Sequence, residues 1–228
     1  MTMLVSVSFI LLTVIIFISM RFFYERFKYA FFVPVLTSSV IIILFLLLWN
    51  ISYSEYREGT KWLHELLGPA VVALAFPLYH QRKMIMEYKG PLTFSITSGI
   101  VTGIVSAFLF AKIIPVDTKI AISSIPKSVT TPVAMDIAHI IGGSPSLAAA
   151  FVMIAGVGGA MLGPFLFKTL KIYHYIGIGV GLGAASHGIG TARALEFGKK
   201  EAAVSSISMT ISAIIYSIIL PFAILYFL

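Results

Sequence analysis

The sequence predicts an all-α polytopic membrane protein, with about six spanning helices and two opposed, broken, re-entrant hairpins that form a weak inverted repeat. Three observations predict it. First, only 11% of the 228 residues are charged and 59% are hydrophobic, where an ordinary soluble domain carries roughly 25% charged residues. Second, apolar runs close to the roughly 20 residues that cross a bilayer recur along the whole chain, and mean hydropathy is +1.01. Third, two stretches in the second half are apolar at one end and polar in the middle.

The runs lie at Met3–Met20, Ala30–Trp49, Trp62–Tyr79, Pro91–Ile114, Ser146–Phe167 and Ala203–Leu228. No basic residue precedes the first and no small-residue cleavage site follows it, so it reads as a retained helix rather than a signal peptide. Pro34, Pro69 and Pro77 are expected to kink or cap the next helices. Residues 1–114 thus form a four-helix scaffold and dimerisation region, and a homodimer is expected. Residues 115–228 hold the two broken stretches and two more spans.

Net charge is +7, which raises nucleic acid as a partner. The bases, however, sit in short clusters between apolar runs, such as Arg21/Arg26/Lys28 and Arg82/Lys83/Lys89, as the positive-inside bias writes them. Nucleic-acid binding is therefore set aside. With no cysteine there is no disulfide framework, thiolate nucleophile or thiolate metal site. His64, His80, His139, His174 and His187 lack metal-ligand spacing. The run from Gly177 to Gly183 looks like a dinucleotide loop, but no strand precedes it; its paired glycines suit close helix packing. Ser186 and His187 are neighbours without an acid to complete a triad. No enzyme, metal or cofactor is expected.

The broken stretches are Ile120–Gly143 and Ile176–Gly198. Laid on one another, Thr131 falls on Thr191, Ala134 on Ala194 and Asp136 on Glu196. If both re-enter, with both termini outside, loop Lys and Arg split 10 inside to 4 outside; if both cross, the split is 8 to 6. The bias favours re-entrant hairpins entering from opposite faces. Opposed broken segments meeting near the midplane describe a transporter's binding site.

Chemistry concentrates there. Irregular backbone at membrane depth survives only inside protein or along a wet cavity, and lipid-facing charges cost about 2.5–3.5 kcal/mol each. Lys127, Asp136, Arg193 and Glu196 are therefore expected to face inward. Thr131 before Pro132 is a helix-start signal, and by the repeat Thr191 starts a second half-helix. Two helix starts with Lys127 and Arg193 nearby suit a small anion. Ser128, Thr130, Ser186 and His187 complete the candidate substrate contacts, His187 also being a candidate proton carrier. Asp136, His139 and Glu196 are expected in buried charge pairs, Asp136 with His139 and Glu196 with Arg193. A wide pore would need a continuous polar stripe on one long helix, and none is read.

The stretches Leu67–Tyr79 (LGPAVVALAFPLY), Pro126–Ala138 (PKSVTTPVAMDIA) and Ala185–Glu196 (ASHGIGTARALE) resemble the LrgB/CidB family of bacterial membrane proteins, and the resemblance covers nearly the full length. One departure is Val33 before Pro34, where the family usually has Asn. The resemblance implies a multi-pass protein of the bacterial plasma membrane with two overlapping roles. One is transport of small monocarboxylates: pyruvate in bacteria, glycolate and glycerate in the related plastid protein. The other is holin- or antiholin-like control of murein hydrolase activity and cell lysis with a small LrgA/CidA-like partner. Proton or sodium coupling is the accompanying expectation for transport.

Overall fold

The computed structural model describes residues 3–27, 32–66, 69, 72, 73 and 75–227; among them the regular structure is helical, with no strand. The chain packs as two compact units, Met1–Ala70 and Val71–Leu228.

In the first unit α1 (Met3–Phe27) packs against α2 (Pro34–Leu48) and α3 (Tyr53–Gly59), and α4 (Lys61–Glu65) follows. Pro34 opens α2, where its missing N–H costs nothing, but Val33 at the cap offers no side-chain acceptor. An asparagine there would be able to cap the helix; Val33 is not. Ser52 and Glu55 close a reciprocal capping box on α3, and the chain bends by 120° between α2 and α3.

The second unit begins with α5 (Ala75–His80) and α6 (Arg82–Glu87). The long helix α7 (Lys89–Ile113) comes next, then the short α8 (Thr118–Ser124) and α9 (Thr131–Ile140). It ends with α10 (Pro145–Thr169), α11 (Tyr175–Phe197) and α12 (Lys199–Phe227). Among the described residues α1, α7, α10 and α12 are each long and apolar enough to cross a membrane, and the bent pair α2–α3 is a further candidate. Of the expected run Trp62–Tyr79, residues 67, 68, 70, 71 and 74 lie outside those described; its two ends are α4 and α5. The helix α7, expected to belong with the N-terminal scaffold, packs on α11 and α12, so the frame around the hairpins starts well before residue 115.

One buried cluster runs through the second unit, joining Ile96 and Ile100 of α7 to Val133, Val152, Val204 and Tyr216. In lipid, helices gain little from hydrophobic transfer and are held by close van der Waals packing of small residues. Gly179 and Gly183 supply it. A Cβ on Gly179 would sit 2.6 Å from Val204 Cβ, and one on Gly183 would run into the Ser205 carbonyl oxygen. Only hydrogen at those positions lets α12 lie on α11 backbone to backbone.

Candidate functional site: two opposed hairpins

The first hairpin is built from local signals. Asp117 caps α8, its carboxylate accepting from Lys119 N–H at 2.8 Å. The helix stops before Pro126, and residues 125–130 turn without helical structure between Ser124 and Thr131. α9 then runs ten residues, about 15 Å at 1.5 Å per residue. It ends on Gly142 at φ +84° with Gly143 N–H donating to Ala138 O at 2.7 Å, a glycine-terminated cap. Immediately afterwards Ser144 N–H donates to Ser123 Oγ at 2.7 Å. The chain leaves Ser123, reaches away by the length of α9 and returns to Ser123. The chain doubles back on itself as a hairpin.

The second hairpin is α11, interrupted at His187, whose φ 41° and ψ −126° are far from helical. In a straight helix, residues eight apart lie about 12 Å apart. Here a Cβ on Gly190 would overlap the Leu182 carbonyl, and Ala194 packs in one cluster with Ile178 and Leu182. Those pairs are symmetric about Ser186–His187, so the two arms are antiparallel and the apex is there. The expected start of the second half-helix at Thr191 is corrected: the hinge lies four residues earlier, and Thr191 Oγ1 donates back to His187 O at 2.9 Å and bonds Ser205 Oγ at 2.9 Å. In the first hairpin the cap is Thr130 rather than Thr131, with no side-chain cap bond, and Pro132 lies in the first turn.

The hairpins enter from opposite ends of α10. The first has its base at Ser144, before Pro145; the second starts at Tyr175, beyond Thr169. Its first arm climbs α10 in steps: Gly181 faces Phe167, Leu182 faces Gly163, Ser186 faces Gly159 and His187 faces Gly156. The His187 ring is held by an Nε2–H bond to Val152 O at 3.1 Å; since a carbonyl only accepts, the proton sits on Nε2. A Cβ on Gly156 would lie 2.6 Å from the ring, so this glycine makes room for it. On α7 the apices come within one helical turn of each other. Ala184 lies against Gly99, and Ser128, with the Tyr216 ring, against Gly103. The hairpins meet near the middle of the unit.

Several polar atoms of the two hairpins and of α12 are buried without a hydrogen-bond partner among the described residues: Lys127 Nζ, Thr130 Oγ1, Ser186 Oγ, Arg193 Nε and Ser212 Oγ. Such groups are rare in native proteins, because each costs roughly 1–3 kcal/mol and more when charged. Four of the five belong to the residues expected from sequence. Arg193 lies on the returning arm and pairs through Nη1 with Glu196 Oε2, so that expected ion pair is present; its side chains are 21% and 31% exposed rather than fully buried.

Asp136 and His139 are a correction. Both are exposed and make no ion pair with each other, because α9 buries the opposite face through Val133, Ala134, Ile137 and Ala138. A row of hydroxyls does run along α12, on its buried side. Ser205, Ser208, Ser212 and Tyr216 recur every three to four residues on α12 and are all buried. Their spacing in "AVSSISMTISAIIYS" was the available signal, hidden because single hydroxyls barely alter an apolar run.

The LrgB-like family model matches residues 13–226. The chain belongs to the LrgB-like family. Among its relatives, the protein YxaC of Bacillus subtilis is 43% identical over 217 residues, covering 95% of this chain and 94% of its own. The holin-like protein CidB of Staphylococcus aureus is 33% identical over 218 residues, covering 96% and 95%. The protein YwbG of Bacillus subtilis is 33% identical over 220 residues, covering 96% and 98%. No solved structure matches the chain. Family and helices together make it a multi-pass bacterial membrane protein.

Proposed function

We propose that this LrgB-like protein is a transporter or facilitator for small monocarboxylate anions of the pyruvate, glycolate and glycerate class. The observation that carries the reading is the Lys127 ammonium, buried without a partner on a hairpin turn that faces a second, opposed hairpin. A buried unpaired cation is costly, and a bound carboxylate would remove that cost. One charge-assisted hydrogen bond contributes about 1.5–3 kcal/mol; Ser128, Thr130, Thr131 and Ser186 are near enough to the turns to add neutral ones. Arg193, tied to Glu196, is the second cation: substrate would exchange places with Glu196. Thr191 and His187 hold the second apex in shape. Proton or sodium coupling and a homodimer belong to this reading.

A second reading has separate support. The name of the Staphylococcus aureus relative, holin-like protein CidB, favours a holin- or antiholin-like role in lysis, with a small LrgA/CidA-like partner, more directly than it favours transport.

The two readings part on cargo size. Proteoliposomes carrying the purified chain are loaded with a fluorescent dextran and unlabelled glycolate or pyruvate. Counterflow of the labelled acid with full retention of the dextran is the expected result. Release of the dextran, or no counterflow with either acid, overturns transport in favour of the holin-like role.

A further inference from the structure

Among the described residues, Ser212 carries the one unpartnered buried hydroxyl that belongs to neither hairpin. It is 1% exposed, and its Oγ has no hydrogen-bond partner among the described residues. Most hydroxyls on α12 are accounted for: Ser208 donates to Val204 O at 2.9 Å and Thr210 to Ser206 O at 2.8 Å, Ser205 is bonded to Thr191, and Tyr216 donates to Ile100 O at 3.3 Å.

Its position follows from contacts on either side. Gly179 lies against Glu201 and Gly183 against Ser205, so the first arm of α11 runs alongside α12 in the same direction. That register brings Ser186 level with Ser208, and Thr191 reaches Met209 Sδ at 3.9 Å. Beyond Met209 the second hairpin has ended. One turn past Ser212, Tyr216 lies with Ser128 of the first hairpin against Gly103. Ser212 therefore lies on α12 between the levels of the two apices. At 100° per residue it points within about 40° of Ser205 and Tyr216, the side chains that face the hairpins.

We infer that Ser212 is a specificity-determining residue, donating a hydrogen bond to the oxygen on the carbon next to the ligand's carboxylate. The inference rests on the carboxylate-transport reading and adds to it a discriminating group. A site with a buried hydroxyl waiting for a partner favours 2-hydroxy and 2-oxo acids over plain acids of the same size, since a plain acid leaves the hydroxyl unpaired. Charge recognition stays with Lys127 on the first hairpin.

The test is equilibrium binding of labelled glycolate to the full-length purified chain, displaced by glycolate, pyruvate, acetate and propionate. The chain should prefer glycolate to acetate and pyruvate to propionate. Ser212→Ala should weaken glycolate and pyruvate by about three- to tenfold, leave acetate and propionate unchanged, and keep the melting temperature, because no intrachain bond is lost. Ser212→Thr, which keeps the hydroxyl, should retain the preference. If Ser212→Ala weakens all four acids equally or none, the inference fails while carboxylate binding stands. If the unaltered chain binds none of the four, both fall.

Discussion

The two hairpins solve the same topological problem in different ways. The first turns through residues 125–130, with Pro126 inside the turn and Pro132 in the first turn of α9. The second turns at His187 alone, with helix on both sides. The wide turn leaves Lys127 Nζ and Thr130 Oγ1 unpartnered. The tight turn presses its apex onto α10, where Gly156 and Gly159 make room for His187 and Ser186, and fixes the ring by a bond to Val152 O. The difference separates two tasks: a loose turn can present a charge to a ligand, and a tight one supplies a rigid wall for it to work against.

The comparison breaks most completely if the hairpins do not enter from opposite faces. The chain has no cysteine, so single cysteines report sidedness without background. Lys119→Cys at the base of the first hairpin and Lys171→Cys just before the second, both exposed, should label from opposite sides of the membrane in an all-or-none manner. Labelling of both from one side rules out opposed entry.

Next in size is the second apex. A positive φ outside glycine costs about 1–3 kcal/mol, and His187 withstands it through its ring contacts. His187→Ala keeps the strain and loses the ring, and should destabilise by about 2–5 kcal/mol through the cavity and the unpaired Val152 carbonyl. His187→Gly loses the ring but relieves the strain, and should recover about 1–2 kcal/mol of that. Melting in detergent measures the difference; an alanine variant more stable than the glycine variant would mean the hinge is not strained.

Neighbouring glycines of α10 sharpen the same point. A Cβ on Gly159 would collide with Ser186 Oγ, while one on Gly158 meets nothing within 4 Å. Gly159→Ala should cost about 1–3 kcal/mol, and Gly158→Ala should gain about 0.5–1 kcal/mol from helix propensity. Equal melting temperatures would show that the apex does not bear on α10. The smallest effect is expected on α9: Asp136→Ala, at an exposed and unpaired position, should change stability by less than about 0.5 kcal/mol. A larger loss would restore it to a buried pair.

The hairpins were legible in the sequence because backbone and charge at membrane depth have few tolerable places. That ground singles out Lys127 and Arg193 by their charge, and the irregular backbone draws attention to Thr130 and Ser186. What sequence misplaced were details set by tertiary packing. The register of the repeat put the second helix start at Thr191, because a Thr–Thr match carries more sequence signal than a histidine held at positive φ by Val152 and Gly156. The charge of Asp136 argues for the inside, but the apolar positions around it, Val133, Ala134, Ile137 and Ala138, already specify the opposite face. The hydroxyls of α12 were invisible as a set until Gly179, Gly183 and Gly103 showed which side of that helix the hairpins occupy.

The central claim is that the wide turn of the first hairpin presents a ligand-binding cation. Equilibrium binding of labelled glycolate to the purified chain tests it most directly when unaltered protein is compared with Lys127→Gln. Losing one charge-assisted hydrogen bond should weaken binding by about 10- to 100-fold, while the melting temperature holds or rises because a buried unpaired charge has gone. Unchanged glycolate affinity in a stably folded Lys127→Gln protein would contradict it.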